Sequence, residues 1–101
     1  MRCDEFKRLL DLSVRHDWNW IKLGKNETRE HKVLKVKECL KLVERDFPFM
    51  TEVKFKGGRR ADIASPLDWE VIEVVVSEGQ KSLAKKKIFF EGLGFEMKVV
   101  K

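Results

Sequence analysis

Apolar and polar positions alternate most clearly between Phe49 and Val76 (FMTEVKFKGGRRADIASPLDWEVIEVVV), a stretch that divides into three candidate strands. Over 50–56, Val53 and Phe55 fall on one face and Glu52, Lys54 and Lys56 on the other, the two-residue period of a half-buried strand. Gly57–Gly58 marks a hairpin turn. A strict two-residue loop would set Asp62 opposite Val53, with a carboxylate among apolar neighbours. A three-residue or bulged loop pairs Val53 with Ile63, Phe55 with Ala61 and Lys54 with Asp62, and this is the register expected. A third strand over 69–76 follows the turn at Pro66–Asp68. Pairing Ile63 with Ile72 aligns Asp62 with Glu73 on the other face. Because 69–76 is apolar on both sides, it should be central and covered by helices above and below.

Helical spacing appears on both sides of this block. Phe6, Leu9, Leu10 and Val14 predict a helix over 4–15. In the segment 16–26, Trp18 and Trp20 alternate with polar residues, as in a short half-buried extended piece. Thr28 can cap a second helix reaching about Asp46, ahead of Pro48. Val33, Val36, Leu40, Val43 and Phe47 form one apolar stripe of the kind that faces a core. Glu30, Lys37 and Glu44 run along one edge of that stripe, His31 and Lys35 point away from it, and Leu34 and Leu42 imply a second contact. A third helix, capped by Ser77 or Ser82, runs to about Glu91. Gly79 favours the later start, and Gly92–Gly94 supplies a left-handed stop. Residues 95–100 form a last strand. The predicted class is α/β: a core over 28–101 in the order helix, three strands, helix, strand, with about four strands in a mixed sheet flanked by helices. Residues 1–27 are a helical extension packed on that core.

Composition narrows the class of protein. With 101 residues, 43% hydrophobic and 39% charged, the chain suits one folded domain. Its longest apolar runs, VIEVVV and IFF, are too short to cross a bilayer, and MRCDEFKRLL is not a secretory signal. Cys3 and Cys39 match neither a disulfide framework nor a zinc site, so inert thiols in a reducing, cytoplasmic setting are expected. Asn occurs only at 19 and 26 and Gln only at 80, a bias shared with proteins from hot environments. The net charge of +5 is concentrated: residues 31–60 carry nine bases and four acids, whereas the flanking thirds are nearly balanced. A polyanion, above all nucleic acid, is the partner such a patch suits; a solvated face without a partner is the alternative.

Asp62 and Glu73 interrupt buried strands, and a buried carboxylate is costly unless a cation or donor stabilises it. Side by side, they offer hard oxygen ligands for Mg²⁺ or Mn²⁺; Glu52 is a candidate further ligand and Glu30, near the helix start, another. The structural alternative pairs the two acids with Arg60, Lys54 or Lys98. Lys56, Arg59 and Arg60 flank the hairpin turn, where they can follow a phosphate backbone. The run Lys85–Lys87 is expected to be mostly solvated, and His31 to lie on a polar helix face without a role. No Gly-rich phosphate loop or Ser/His/Asp set is present.

A helix, a hairpin with Asp62 on its second strand (GRRADI), a strand with Glu73 (VIEVVV), then SEGQKSLAKKKIFFEGLGF and a final strand resemble the PD-(D/E)xK, restriction-endonuclease-like superfamily over residues 28–100. The resemblance implies an αβββαβ core and Asp62 and Glu73 as the two acidic motif positions. It also implies metal-dependent cleavage or processing of DNA; because phosphate contacts dominate and no base-reading helix is evident, binding is expected to be weakly sequence-specific. The family's lysine, two residues after the second acid, is Val75 here. Either another lysine has taken its place, Lys54 across from Asp62 or Lys37 on the helix edge, or the site binds DNA without cutting. Cleavage of both duplex strands would need a homodimer or two binding events, with the N-terminal segment as a candidate interface. The rivals are a catalytically degenerate DNA-binding module of the same fold and an assembly subunit whose basic patch meets an acidic partner.

Overall fold

A computed structural model describes residues 2–76 and 80–101. Elements follow in the order α1 (Arg2–Arg8), α2 (Arg29–Glu44), β1 (Met50–Lys54), β2 (Arg60–Ser65), β3 (Glu70–Val74), α3 (Gln80–Gly92) and β4 (Glu96–Val100). The four strands form one mixed sheet in the order β1-β2-β3-β4: β1–β2 and β2–β3 are antiparallel, and β3–β4 is parallel through the α3 crossover. The described residues therefore form a small α/β domain with three helices. Among the described residues no helix is long and apolar enough to cross a membrane.

Two apolar clusters occupy the two sides of the sheet. Phe6 and Leu10 join Val53, Phe55, Val71, Phe90 and Phe95 in one, built largely of edge-to-face rings. Cys39 and Leu42 of α2 join Phe49, Ile63 and Ile72 in the other. Burial pushes the Cys39 thiol up to about 12, so it stays protonated and inert, as expected. The predicted helix over 4–15 ends at Arg8, and Leu10 instead bridges Phe55 while residues 9–11 bond to 54–56. The N-terminal extension thus contributes directly to the core. Residues 16–20 form no strand.

Thr28 caps α2 as predicted: its hydroxyl oxygen accepts from the His31 N–H at 3.2 Å. Past the helix end Asp46 takes a left-handed φ of 59°, and the Phe47 N–H reaches the Leu42 carbonyl, closing the helix before Pro48. The buried face of α2 is not the apolar stripe. Lys35, Glu38, Cys39 and Leu42 turn inward, whereas Val33, Leu40 and Val43 remain 45%, 50% and 53% exposed. Residues 35, 38, 39 and 42 have a helical spacing of their own. Their two charges are tolerated because each meets ionic partners: Lys35 meets Glu27 and Glu52, and Glu38 meets Lys41 and Lys98.

The β2–β3 register is the one predicted, with Ile63 opposite Ile72. The β1–β2 register differs by two residues: Val53 pairs with Ala61 and Lys54 with Arg60, so Lys54 does not face Asp62. The loop is three residues long, Lys56–Gly58, closed by the Phe55 N–H on the Arg59 carbonyl. Alternation also skips a step. Met50 and Val53 share one cluster, as do Ala61 and Ala64, while Ile63 joins the other. The break falls at Glu52, whose φ is +50°, and at Asp62 beside it. Ser77, one expected helix cap, lies outside the described residues, and Ser82, the other, lies inside α3.

Candidate functional site

Where the β2–β3 ladder ends, the two acids take over its hydrogen bonding. The Asp62 N–H donates to Glu73 Oε2 and the Val74 N–H donates to Asp62 Oδ2, both at 2.8 Å. Each carboxylate is thereby fixed by the other strand's backbone. Lys86 of α3 brings its ammonium to 2.9 Å from Glu73 Oε1. Glu73 is 1% exposed. Burial, then the Asp62 charge beside it, push its carboxyl up to about 7 against the opposing pull of Lys86. Asp62 stays partly open, and its Oδ1 takes no partner among the described residues.

The start of α2 closes the other side. His31 Nε2 lies 3.5 Å from Asp62 Oδ2, and Nδ1 lies 2.6 Å from Glu27 Oε2. Burial pushes the Glu27 carboxyl up, but the Gly24 N–H, Lys35 and His31 together outweigh it and hold it below its ordinary value. An ionised Glu27 makes His31 Nδ1 the donor, which leaves Nε2 directed towards Asp62. Glu27 is held in turn by Lys35, fully buried, whose ammonium lies 3.0 Å from both Glu27 Oε1 and Glu52 Oε2 and donates to the Lys22 carbonyl at 2.7 Å. Glu27, Thr28, His31, Asp62 and Lys86 line one cleft of about 280 Å³ with Val74–Val76 at its wall.

The structure brings Asp62 and Glu73 together and leaves other expected participants apart. The Lys54 ammonium goes to Asp11 at 3.6 Å, a consequence of the shifted β1–β2 register. Glu52 is turned to Lys35 and, more distantly, Arg60. Glu30 and Lys37 line apolar recesses on the outer face of α2, away from the cleft. Lys56 and Arg60 are exposed at the hairpin tip, and Arg59 is half-buried there. Neither Arg60 nor Lys98 pairs with the two acids; Lys98 meets Glu38. Three site residues have no warning in local pattern. Lys86 sits in a run of three lysines that looks solvated, although its half-burial distinguishes it from Lys85 and Lys87. Glu27 and Lys35 find each other only in three dimensions. His31 gains its role from Glu27 four residues earlier, a spacing visible in the sequence.

Among the described residues no three His, Cys, Asp or Glu side chains converge closely enough to form a metal site by themselves. The donor chemistry suits one class of ion. Mg²⁺ and Mn²⁺ keep several waters and are commonly held by one or two carboxylates, as Asp62 and Glu73 could provide, whereas a structural zinc site needs four protein ligands. Comparison of the chain with protein-family models, with curated proteins and with solved structures finds no match to any of them.

Proposed function

We propose that this chain is a divalent-metal-dependent nuclease of the restriction-endonuclease-like type acting on DNA, with Lys86 in place of the missing motif lysine. One observation carries the proposal: a lysine from α3 meets the buried β3 acid, and that lysine and the neighbouring β2 acid both line the cleft. The element order and the parallel β3–β4 pair also agree with the αβββαβ core implied by the resemblance.

Asp62 and Glu73 would hold Mg²⁺ or Mn²⁺, which when bound supplies charge stabilisation at a scissile phosphate and a more acidic water. The ion would also offset the Asp62 repulsion that adds to burial in raising the Glu73 carboxyl. Lys86 contributes a fixed positive charge where a phosphoryl oxygen gains negative charge. His31, with Nδ1 tied to Glu27, presents Nε2 at the cleft, where it can hold or release a proton. Lys56, Arg59 and Arg60 offer the hairpin tip to the phosphate backbone, a contact that positions DNA without selecting sequence.

Labelled duplex and single-stranded DNA, incubated with Mn²⁺ or with a chelator, test the proposal. Wild type should cut only with the metal, and Asp62→Asn and Lys86→Met should each lose roughly a hundredfold or more in rate. Salt-sensitive binding with no cutting at high protein concentration would replace it with the binding-module reading, which the engagement of both Glu73 oxygens favours. Absence of binding at low salt would remove nucleic acid as the partner.

A further inference from the structure

The outer face of α2 carries an apolar seam that the fold leaves uncovered. Val33, Val36, Leu40 and Val43 repeat at steps of three and four, the spacing of a two-helix seam, whereas Phe47, beyond the helix end, packs towards the sheet. Val33, Leu40 and Val43 are about half exposed, and Leu23, also half exposed, widens the seam beside Val33 and Val36. Lys37 and Glu44 flank it, both exposed and with no ion-pair partner in the chain among the described residues. Apolar side chains of this number on one helix face are costly to leave in water.

We infer that this face binds a second copy of the chain, as an antiparallel α2–α2 pair about a two-fold axis near Leu40. Charge selects that occupant and that direction. With Leu40 against Leu40, an antiparallel pair brings Val36 within one residue of Val43, and Lys37 within one residue of Glu44, of the second copy; symmetry supplies the Lys37–Glu44 contact twice. A parallel pair would set Lys32 against Lys37 of the other copy, a like-charge contact. The shallow recess between Leu23, Lys32, Val33, Val36 and Lys37 then receives Val43 of the second copy. A 16-residue helix is only about 24 Å long, so the seam is small beside a standard interface. The dimer is therefore weak, with Kd on the order of micromolar. It is independent of the nuclease proposal, and it leaves the clefts clear, because His31 sits near the start of α2 on a different face. The two His31 positions lie about 27 Å apart along the helix axis, eighteen residues at the helical rise.

Sedimentation over a concentration series tests the dimer, and charge reversal tests its direction. Wild type should pass from monomer to dimer as concentration rises. Leu40→Glu should raise Kd at least tenfold while leaving the circular dichroism of the monomer unchanged. Lys37→Glu and Glu44→Lys should each weaken association, and the double reversal should restore it. In a Cys3→Ser background, Leu40→Cys should form an oxidised covalent dimer and Leu12→Cys, on an exposed residue of the N-terminal segment, should not. A wild type that stays monomeric to several hundred micromolar overturns the inference. So does a dimer that ignores Leu40→Glu, that the double reversal fails to restore, or that Leu40→Cys fails to trap.

Discussion

Replacing Lys86 by methionine keeps most of the apolar stem and removes the ammonium 2.9 Å from a carboxylate that is 1% exposed. Loss of one partner of a buried pair commonly costs about 3–5 kcal/mol because the other charge is stranded. Glu73 has an escape, since its carboxyl already lies near pH 7 and can take up a proton. Its folded value is raised, so the native state binds the proton more tightly than the unfolded chain and the ionised form destabilises the fold as pH rises. Without Lys86 the folded value moves higher still. At pH 5.5 Glu73 is protonated in both proteins, and the substitution should cost little. Above pH 7 the wild type gains the ion pair and the variant does not, so the gap widens by about 1.4 kcal/mol per pH unit until the variant ionises too. At pH 9, two units higher, the difference reaches at most about 3 kcal/mol. Urea unfolding of the metal-free protein at pH 5.5 and pH 9 measures it. In a Glu73→Gln background the pH-dependent part should vanish. An equal loss at both pH values, or one that survives Glu73→Gln, would refute the reasoning.

Other consequences can be checked by the same unfolding measurements. Lys35→Met strands Glu27 and Glu52, both largely but not wholly buried, and should cost about 2–4 kcal/mol, with part recovered when both acids are made Gln. Unchanged stability would mean that the Lys35 network carries little. Gly57 has φ +99°, and an added Cβ would lie 3.1 Å from the Phe89 ring; Gly58 has φ +91° and open space around it. Both alanine variants bear the left-handed backbone cost, so Gly57→Ala should exceed Gly58→Ala by about 1 kcal/mol, the share due to packing of the hairpin tip on α3.

What the sequence disclosed, and what it concealed, follows from the range of the forces involved. The Asp62–Glu73 juxtaposition was legible because setting the two buried isoleucines, Ile63 and Ile72, opposite each other also brings the acids next to them together. The β1–β2 register was not, because Gly57 and Gly58 permit several loop geometries and the left-handed Glu52 breaks the alternation from which register is counted. Expecting Lys54 at the acids was the direct cost of that two-residue error. On α2, Val33, Leu40 and Val43 outscore Lys35 and Glu38 on any apolar scale, yet the charged face is inside because Glu27, Glu52 and Lys98 await it there. Those partners come from distant segments, so helical periodicity carries no sign of them. The half-buried Lys86 was masked in the same way by its neighbours Lys85 and Lys87, since the nearby β3 carboxylate is what distinguishes it.

The most direct measurement of the central claim is a Mn²⁺ titration at pH 8, followed by electron paramagnetic resonance of the free ion, on wild type, Asp62→Asn and Glu73→Gln. One Mn²⁺ per chain in wild type, lost or weakened at least tenfold in both variants, is the expected result. No uptake by wild type, or uptake that both variants retain, would contradict the assignment of these two acids to a metal.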